Sequence, residues 1–205
     1  MELLTLDNLF LLLTGLVCMY LLARFYVRWG KEKNTYDIYY MMGFLVLLVS
    51  GLLLIFLGLD ILQSPYVLTV ASLIPLGISI GLMEQFFPKY KKLYKWFALL
   101  GFLAIAYSAI AGVDSMKKIS VPLFHGVAGL IIFLGPFLTR KAPKGFWWVG
   151  IGGVLIGLGG IALAFISLGA QLLFFSPEFV MTILTPLLLL MSLAFAYGFI
   201  KDLNA

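Results

Sequence analysis

Long apolar runs alternate with short polar clusters along the whole chain. Seven runs are about 20 residues long, the length at which an α-helix crosses a hydrocarbon layer about 30 Å thick. No polar cluster is long enough to fold on its own. The pattern predicts an all-α, polytopic integral membrane protein that forms one transmembrane domain over residues 1–205. The seven predicted spans are 9–29, 37–59, 66–88, 94–113, 119–139, 146–169 and 176–200.

The polar clusters mark the ends of the predicted helices. Ser64-Pro65 and Ser176-Pro177 each place a proline in the first turn of the next helix, where a backbone N–H has no helical partner. The segment 140–145, Arg-Lys-Ala-Pro-Lys-Gly, ends one helix and precedes another. Between the second and third spans, Asp60 and Gln63 are the only further interruptions of an apolar stretch.

The composition agrees with a membrane solvent. The chain is 63% hydrophobic and 11% charged, with a mean hydropathy of +1.10, whereas soluble domains carry about 25% charged residues. One His, one Cys and nine acidic residues leave few groups for acid–base, nucleophilic or metal chemistry. We therefore expect no enzyme activity, no cofactor and no metal site.

The basic residues predict an orientation. Twelve of the fourteen Lys and Arg residues belong to the ends that would lie on one side of the membrane, and only Lys117 and Lys118 belong to the other. Because basic loops stay on the cytoplasmic side, the N-terminus is expected outside and the C-terminus inside. This distribution explains the basic net charge without a nucleic-acid partner. Residues 1–8 carry no basic residue, so the first span is expected to be a retained helix rather than a secretion signal.

The two halves of the chain align at a shift of about 110 residues. Residues 50–56 align with 159–165, Ser64-Pro65 aligns with Ser176-Pro177, and Pro75 aligns with Pro186. This alignment predicts parallel half-repeats at 9–88 and 119–200, joined by a linker helix at 94–113. Chance identity within a Leu- and Gly-rich alphabet is the alternative explanation.

In helix number and order, this plan resembles the sugar transporters of the SWEET type and, more distantly, the microbial rhodopsins. The resemblance implies a seven-helix bundle and, for the first family, solute transport. The chain lacks the Pro-Gln signature of SWEET-type halves. It also lacks the mid-membrane lysine with which rhodopsins hold retinal, since the last span carries only Lys201 at its end.

His125 and Glu84 are the candidate functional residues among the ionisable side chains inside the predicted spans. His125 lies about 9 Å below the outer boundary of the fifth span at helical rise. It could gate a proton or bind a metal, although an interhelical hydrogen bond is the commoner role of such a residue. Glu84 lies near the inner end of the third span. It could receive a cation or pair with Arg24, or it could extend into the headgroup region beside Lys89.

Neutral polar residues beside two prolines form a second candidate site. A proline frees the carbonyl one turn earlier, and transporters use such positions as hinges and binding sites. Better packing of a kinked helix is the alternative. The members of this set are Thr69, Ser72 and Pro75 in the third span, and Thr182, Thr185 and Pro186 in the seventh.

Closely spaced glycines predict tight helix packing. Gly153 and Gly157 in the sixth span, and Gly77 and Gly81 in the third, follow the GxxxG spacing that lets two backbones approach. The partner helix could belong to this chain or to another subunit.

Three classes of function follow. The first is a non-catalytic membrane subunit or scaffold that packs against other membrane proteins or against a second copy. The second is a small transporter or facilitator of a neutral or weakly polar solute. An intramembrane enzyme ranks last, because no acid–base pair can be assembled. The lipid bilayer is the expected surrounding, and a prokaryotic cell membrane is the expected location.

Overall fold

The first two helices form a hairpin with a two-residue connection. α1 spans Leu6–Glu32 and α2 spans Thr35–Leu57 in the computed structural model, which describes residues 5–167 and 176–204. The hydroxyl of Thr5 accepts a hydrogen bond from the Asn8 amide and caps α1. Lys33 ends α1 in the left-handed region, with φ of 58°, so the chain reverses direction within a single turn.

The predicted third span is interrupted. A 3₁₀ helix, Leu59–Gln63, leads into α3, Pro65–Ala71, and α4, Leu73–Phe86. The helix breaks at Ser72 because Pro75 has no N–H to donate to the carbonyl of Ala71. Local hydroxyls stabilise the break: Thr69 donates to the Pro65 carbonyl at 2.8 Å, and Ser72 donates to the Thr69 carbonyl at 2.7 Å.

The remaining helices begin and end close to the predicted boundaries. They are α5, Lys91–Ile110; α6, Asp114–Leu138; α7, Trp148–Ser167; and α8, Pro177–Leu203. Pro186 lies within α8 without breaking it, unlike Pro75. Residues 168 and 169, the last two of the predicted sixth span, lie outside the described residues.

The described part of the chain is a helical membrane bundle. Six segments are long and apolar enough to cross a membrane, with the α3–α4 pair counted as one of them. The seventh, α7, contributes a shorter apolar stretch, Trp148–Ala162. The protein is therefore a multi-pass membrane protein in its helical plan.

Six elements pack in a closed ring. The order around the ring is α1, α2, α4, α6, α7 and α8, and α8 returns to α1. α5 lies beside α3, α4 and α6. Where α1 and α8 end and α2 begins, the bundle carries Arg28, Lys33 and Lys201, and we term this the basic end. The opposite end holds the start of α3 and the start of α6.

Aromatic side chains fill the ring near the basic end. Phe25 of α1, Tyr40 and Phe44 of α2, and Phe195 and Phe199 of α8 are all fully buried. The ring centroids of Tyr40 and Phe199 are 4.7 Å apart, and those of Phe25 and Phe199 are 5.3 Å apart. Such tilted and edge-on pairs add to the energy of burial. This part of the interior is therefore filled by packed aromatic rings.

Candidate functional site

A buried ion network lies just above the aromatic core, at the basic end. Arg28 of α1 donates from Nε to both carboxylate oxygens of Asp37 at 3.0 and 3.1 Å, and from Nη2 to Oδ1 at 2.5 Å. The Asp37 side chain is fully buried and that of Arg28 is only 10% exposed. Buried charges are tolerated when they are paired in this two-pronged geometry. The pair fastens α1 to α2.

The same arginine reaches the last helix. Arg28 Nη1 lies 2.6 Å from Oδ2 of Asp202 in α8. Gln85 of α4 donates to both oxygens of Asp202 at 2.9 and 3.0 Å, and its own carbonyl accepts the hydroxyl of Tyr40 at 2.7 Å. Four helices of the ring, α1, α2, α4 and α8, therefore converge on one satisfied network. We refer to Arg28, Asp37, Tyr40, Gln85 and Asp202 as the Arg28 network.

Aromatic rings flank the guanidinium as well. Its carbon atom lies 5.5 Å from the ring centroid of Phe25 and 5.2 Å from that of Tyr36. Cation–π contacts of this kind strengthen when water is excluded. The Arg28 network thus closes the interior of the bundle at the basic end with charge, hydrogen bonds and aromatic surface together.

The Arg28 network was not predicted from the sequence, although its residues follow the spacing of the buried positions on α1 and α2. The buried side chains of α2 include Asp37, Tyr40, Phe44 and Leu47, at intervals of three and four residues. On α1, Leu21 and Phe25 follow the same spacing, and Arg28 continues it. Residues at such intervals share one helix face. A charged residue at the end of each buried face, Arg28 on α1 and Asp37 on α2, was the sequence feature that indicated this network.

Glu84 takes part in a separate pairing at the basic end. Its carboxylate lies 2.5 Å from the ammonium of Lys95 and 3.7 Å from that of Lys91, and it accepts the hydroxyl of Thr35 at 2.7 Å. The expected pair with Arg24 is not formed, since Arg24 has other partners, and the expected position in the headgroup region beside Lys89 stays a prediction. Glu84 faces the start of α5, whose first two turns supply both lysines.

Arg24 has different partners. It donates to the hydroxyl of Tyr20 at 2.8 Å and to the side-chain carbonyl of Asn204 at 2.5 Å. This contact is a second link between α1 and the end of α8.

The opposite half of the bundle contains a cavity of about 630 Å³. It reaches the bundle end at the 3₁₀ helix and at the first turn of α6. The volume is in the range of small-molecule sites, and the mostly apolar lining with a few polar groups is also typical of them. We term it the His125 cavity. Its lining residues are Leu59, Leu62, Gln63, Pro65, Val67, Leu68, Ala71, Ala109, Lys117, Val121, His125, Gly160 and Met181.

His125 lies between α6 and α7 in the cavity wall. A methyl group placed on Gly160 of α7 would lie 3.4 Å from the Cδ2 atom of the imidazole, so the glycine leaves room for the ring. The Nδ1 atom is buried, and it makes no hydrogen bond to another helix within the described residues; the backbone of Val121, one turn earlier on the same helix, is close enough to interact with the ring. The expected interhelical hydrogen bond is therefore not seen at Nδ1 in this part of the chain. Unpaired polar atoms at membrane depth are costly.

Charged and amide groups stand at the mouth of the His125 cavity. Lys117 belongs to its lining and also pairs with Asp114, 2.9 Å away and one turn earlier on α6. Gln63, at the end of the 3₁₀ helix, adds an amide. The mouth can thus offer both hydrogen-bond donors and acceptors to a solute, while the interior offers apolar surface.

The predicted polar set around the two prolines does not form a joint site. Thr69 and Ser72 use their hydroxyls within their own helix segment. Thr182 is exposed and donates to the Glu178 carbonyl at 2.8 Å. Thr185 is buried and donates to Asp7 of α1 at 2.5 Å. None of these four side chains lines the His125 cavity, because helix packing turns them toward backbone carbonyls or toward a neighbouring helix.

The prolines contribute backbone geometry rather than a site. Pro75 is buried in α4, three residues after the break at Ser72. Pro186 lies one residue after Thr185 within an unbroken α8. Neither proline lines the cavity.

The closely spaced glycines contact helices of this same chain. A methyl on Gly77 would lie 2.9 Å from the Tyr39 carbonyl of α2, and one on Gly81 would overlap the Tyr40 ring. A methyl on Gly153 would lie 2.6 Å from the Phe133 amide of α6. Gly157 has open space at its own Cβ position, and its Cα lies against Gly129. The close approach of α2 to α4 and of α6 to α7 depends on these small residues.

Clusters of metal-ligating side chains were sought among the described residues. No three of their His, Cys, Asp or Glu side chains approach each other as metal ligands would. Cys18 is fully buried in α1. Comparisons with protein-family models, with curated proteins and with solved structures give no match to this chain.

Proposed function

We propose that this protein is a small membrane transporter that binds a neutral or weakly polar solute in the His125 cavity. The observation that carries the proposal is a cavity of about 630 Å³ whose wall contains an imidazole, and the buried Nδ1 of that imidazole has no hydrogen-bond partner on another helix within the described residues. A solute with a polar group could compensate for part of that cost, and its apolar part would cover the surrounding Leu, Val and Ala side chains.

The two ends of the bundle differ in how far they open to the interior, and this difference favours transport over simple binding. The His125 cavity reaches one end, whereas the Arg28 network and the aromatic core close the other. Alternating access requires such a state, with one side accessible and the other sealed by contacts that can separate. Release toward the basic end would require α8 to move from α1, which would separate Arg28 from Asp202.

The proposed internal repeat gives that movement a structural basis. If α1, α2 and α4 correspond to α6, α7 and α8, the order of neighbours around the ring is the same in both halves. The two contacts between the halves, α1 with α8 and α6 with α4, are then equivalent. Carriers with repeated halves change access by moving one half against the other.

The orientation and location are part of the same proposal. With the basic end in the cytoplasm, as the excess of Lys and Arg there favours, the His125 cavity opens to the outside. A prokaryotic cell membrane is the proposed location.

Flux through liposomes tests the proposal. The purified chain is reconstituted, and the uptake of glycerol, ribitol, glucose and indole is compared with that of protein-free liposomes. Val67→Trp places a large ring in the cavity wall, and Val70→Trp makes the same change one turn away on the exposed face of α3. We expect at least one solute to cross faster with protein, Val67→Trp to reduce its flux at least tenfold, and Val70→Trp to leave it unchanged.

The second candidate is a non-catalytic subunit or scaffold in a larger membrane complex. The open Cβ positions of Gly126 and Gly157 favour it, since they leave room for another helix. Absence of flux for every solute, together with a stoichiometric partner that copurifies in mild detergent, would support this candidate and contradict transport. Equal flux in both tryptophan variants would also contradict transport through the cavity.

A further inference from the structure

A second depression lies on the outer surface between α4 and α6, and its lining is wholly apolar. It encloses about 290 Å³. Met83 of α4 and Phe87, the residue after its end, form one wall, and Val127, Leu134 and Leu138 of α6 belong to the other. Gly135 forms its floor, since a methyl on this glycine would lie 3.7 Å from the Phe87 ring. We term it the α4–α6 groove.

The groove has the length of half a bilayer. Its lining on α6 extends from Val127 to Leu138, which at helical rise is roughly 16 Å. The hydrocarbon core is about 30 Å thick, so one leaflet is about half of that. The groove therefore extends from the basic end to about the middle of the membrane.

Unpaired positive charge lies at the basic end of the groove. Lys89 follows Phe87 by two residues, and Arg140 follows Leu138 by two residues. Both are exposed, as is Lys141 beside them. None of the three forms an ion pair within the described residues. Glu84 is the acidic residue nearest to Lys89 in the sequence of α4, and it pairs with Lys95 and Lys91 instead.

We propose that the α4–α6 groove binds one acyl chain of an anionic phospholipid, with the phosphate at Lys89 and Arg140. An apolar channel one leaflet long beneath two free cations matches a molecule with an acyl chain of that length and a negative headgroup. Basic pockets between transmembrane helices commonly take such headgroups. The proposal is independent of transport, because the groove and the His125 cavity share no lining residue.

Native mass spectrometry in mild detergent tests the proposal on the intact chain. Phosphatidylglycerol and phosphatidylcholine with identical acyl chains are titrated separately. We expect one phosphatidylglycerol to be retained per chain, with a dissociation constant at least tenfold below that of phosphatidylcholine. Equal retention of the two lipids would overturn the proposal.

Two pairs of variants locate the site. Gly135→Leu fills the groove, whereas Gly126→Leu makes the same change in α6 where the Cβ position is open. We expect only Gly135→Leu to abolish retention. The double variant Lys89→Gln, Arg140→Gln should remove the headgroup preference, while Lys31→Gln, Lys92→Gln removes two exposed charges elsewhere at the same end and should preserve it.

Each control has a result that contradicts the proposal. Loss of preference in the Lys31→Gln, Lys92→Gln protein would mean that the overall positive field attracts the lipid. Unchanged retention in Gly135→Leu would place the lipid outside the groove. Copurification of a protein that Gly135→Leu displaces, without bound lipid, would assign the groove to a protein partner.

Discussion

Arg28 and Asp202 form a 2.6 Å ion pair across 174 positions of the chain. The contact connects the first helix to the last and closes the ring of the bundle. Arg28 is already held by Asp37, so it joins two carboxylates that would otherwise repel each other within a largely buried space. The stability of the bundle should therefore depend on this one cation more than on any exposed arginine.

Replacement of Arg28 should be severe. Arg28→Ala leaves Asp37 and Asp202 buried without a counter-charge, which costs about 3–5 kcal/mol of unfolding free energy. Arg140→Ala, at an exposed arginine without an ion pair, should change it by less than about 0.5 kcal/mol. Unfolding in mixed micelles with increasing sodium dodecyl sulfate measures both. Similar losses in the two variants would contradict the structural role of the Arg28 network.

A methyl group at Gly77 should separate α2 from α4. Its Cβ would lie 2.9 Å from the Tyr39 carbonyl and 3.0 Å from the Gly43 amide, and backbone atoms cannot move aside as side chains do. Gly77→Ala should cost about 1–3 kcal/mol. Gly126→Ala meets no atom within 4 Å and should stabilise α6 by up to about 1 kcal/mol through helix propensity. In the same unfolding assay, we expect the unfolding free energy to fall in Gly77→Ala and to rise in Gly126→Ala.

His125 should matter for function and not for stability. Within the described residues its Nδ1 has no hydrogen-bond partner on another helix, so His125→Leu should leave the unfolding free energy unchanged or raise it by up to about 1 kcal/mol, and should abolish solute flux. Tyr94→Phe is the contrasting variant: it loses a 2.7 Å hydrogen bond to Ser79 and should cost about 1 kcal/mol without effect on flux. A large loss of stability in His125→Leu would show that the imidazole has a structural partner.

Thiol labelling should report the orientation directly. The single cysteine, Cys18, is fully buried, so the wild-type protein should not react with a membrane-impermeant maleimide. Lys31→Cys at the basic end should react only from the cytoplasm, and Lys118→Cys at the opposite end only from outside. Reaction of the Lys31→Cys protein with the impermeant maleimide in intact cells would contradict the proposed orientation.

Hydropathy predicted the helices because six of the described segments are long and apolar enough to cross a membrane and α7 carries a shorter apolar stretch. Ser64-Pro65 and Ser176-Pro177 marked two of the starts. The break at Ser72 was not predicted at its position. The proline that causes it lies three residues later, and its effect falls on the carbonyl of Ala71. The periodicity of apolar residues does not show which backbone carbonyl loses its hydrogen bond to a proline.

Hydropathy could not identify the inward face of each helix. Lipid and protein interior are equally apolar, so Leu45, which is exposed, and Leu47, which is buried, look alike in the sequence. Polar and small residues that share one face of a helix mark its inward side, as the buried Asp37 and Gly51 do on α2. The cavity beside His125 arises from the packing of six separate elements, and no single segment encodes it.

The link between Arg28 and Asp202 also has a consequence for biogenesis. At about 5–20 residues per second, the ribosome needs roughly 10–35 s to synthesise the 174 positions between them. During that interval the α1–α2 hairpin has only Asp37 to neutralise Arg28, and the aromatic face that α8 will cover stays open to lipid. The first helical hairpin therefore remains without its contact to α8 until the last helix has been made.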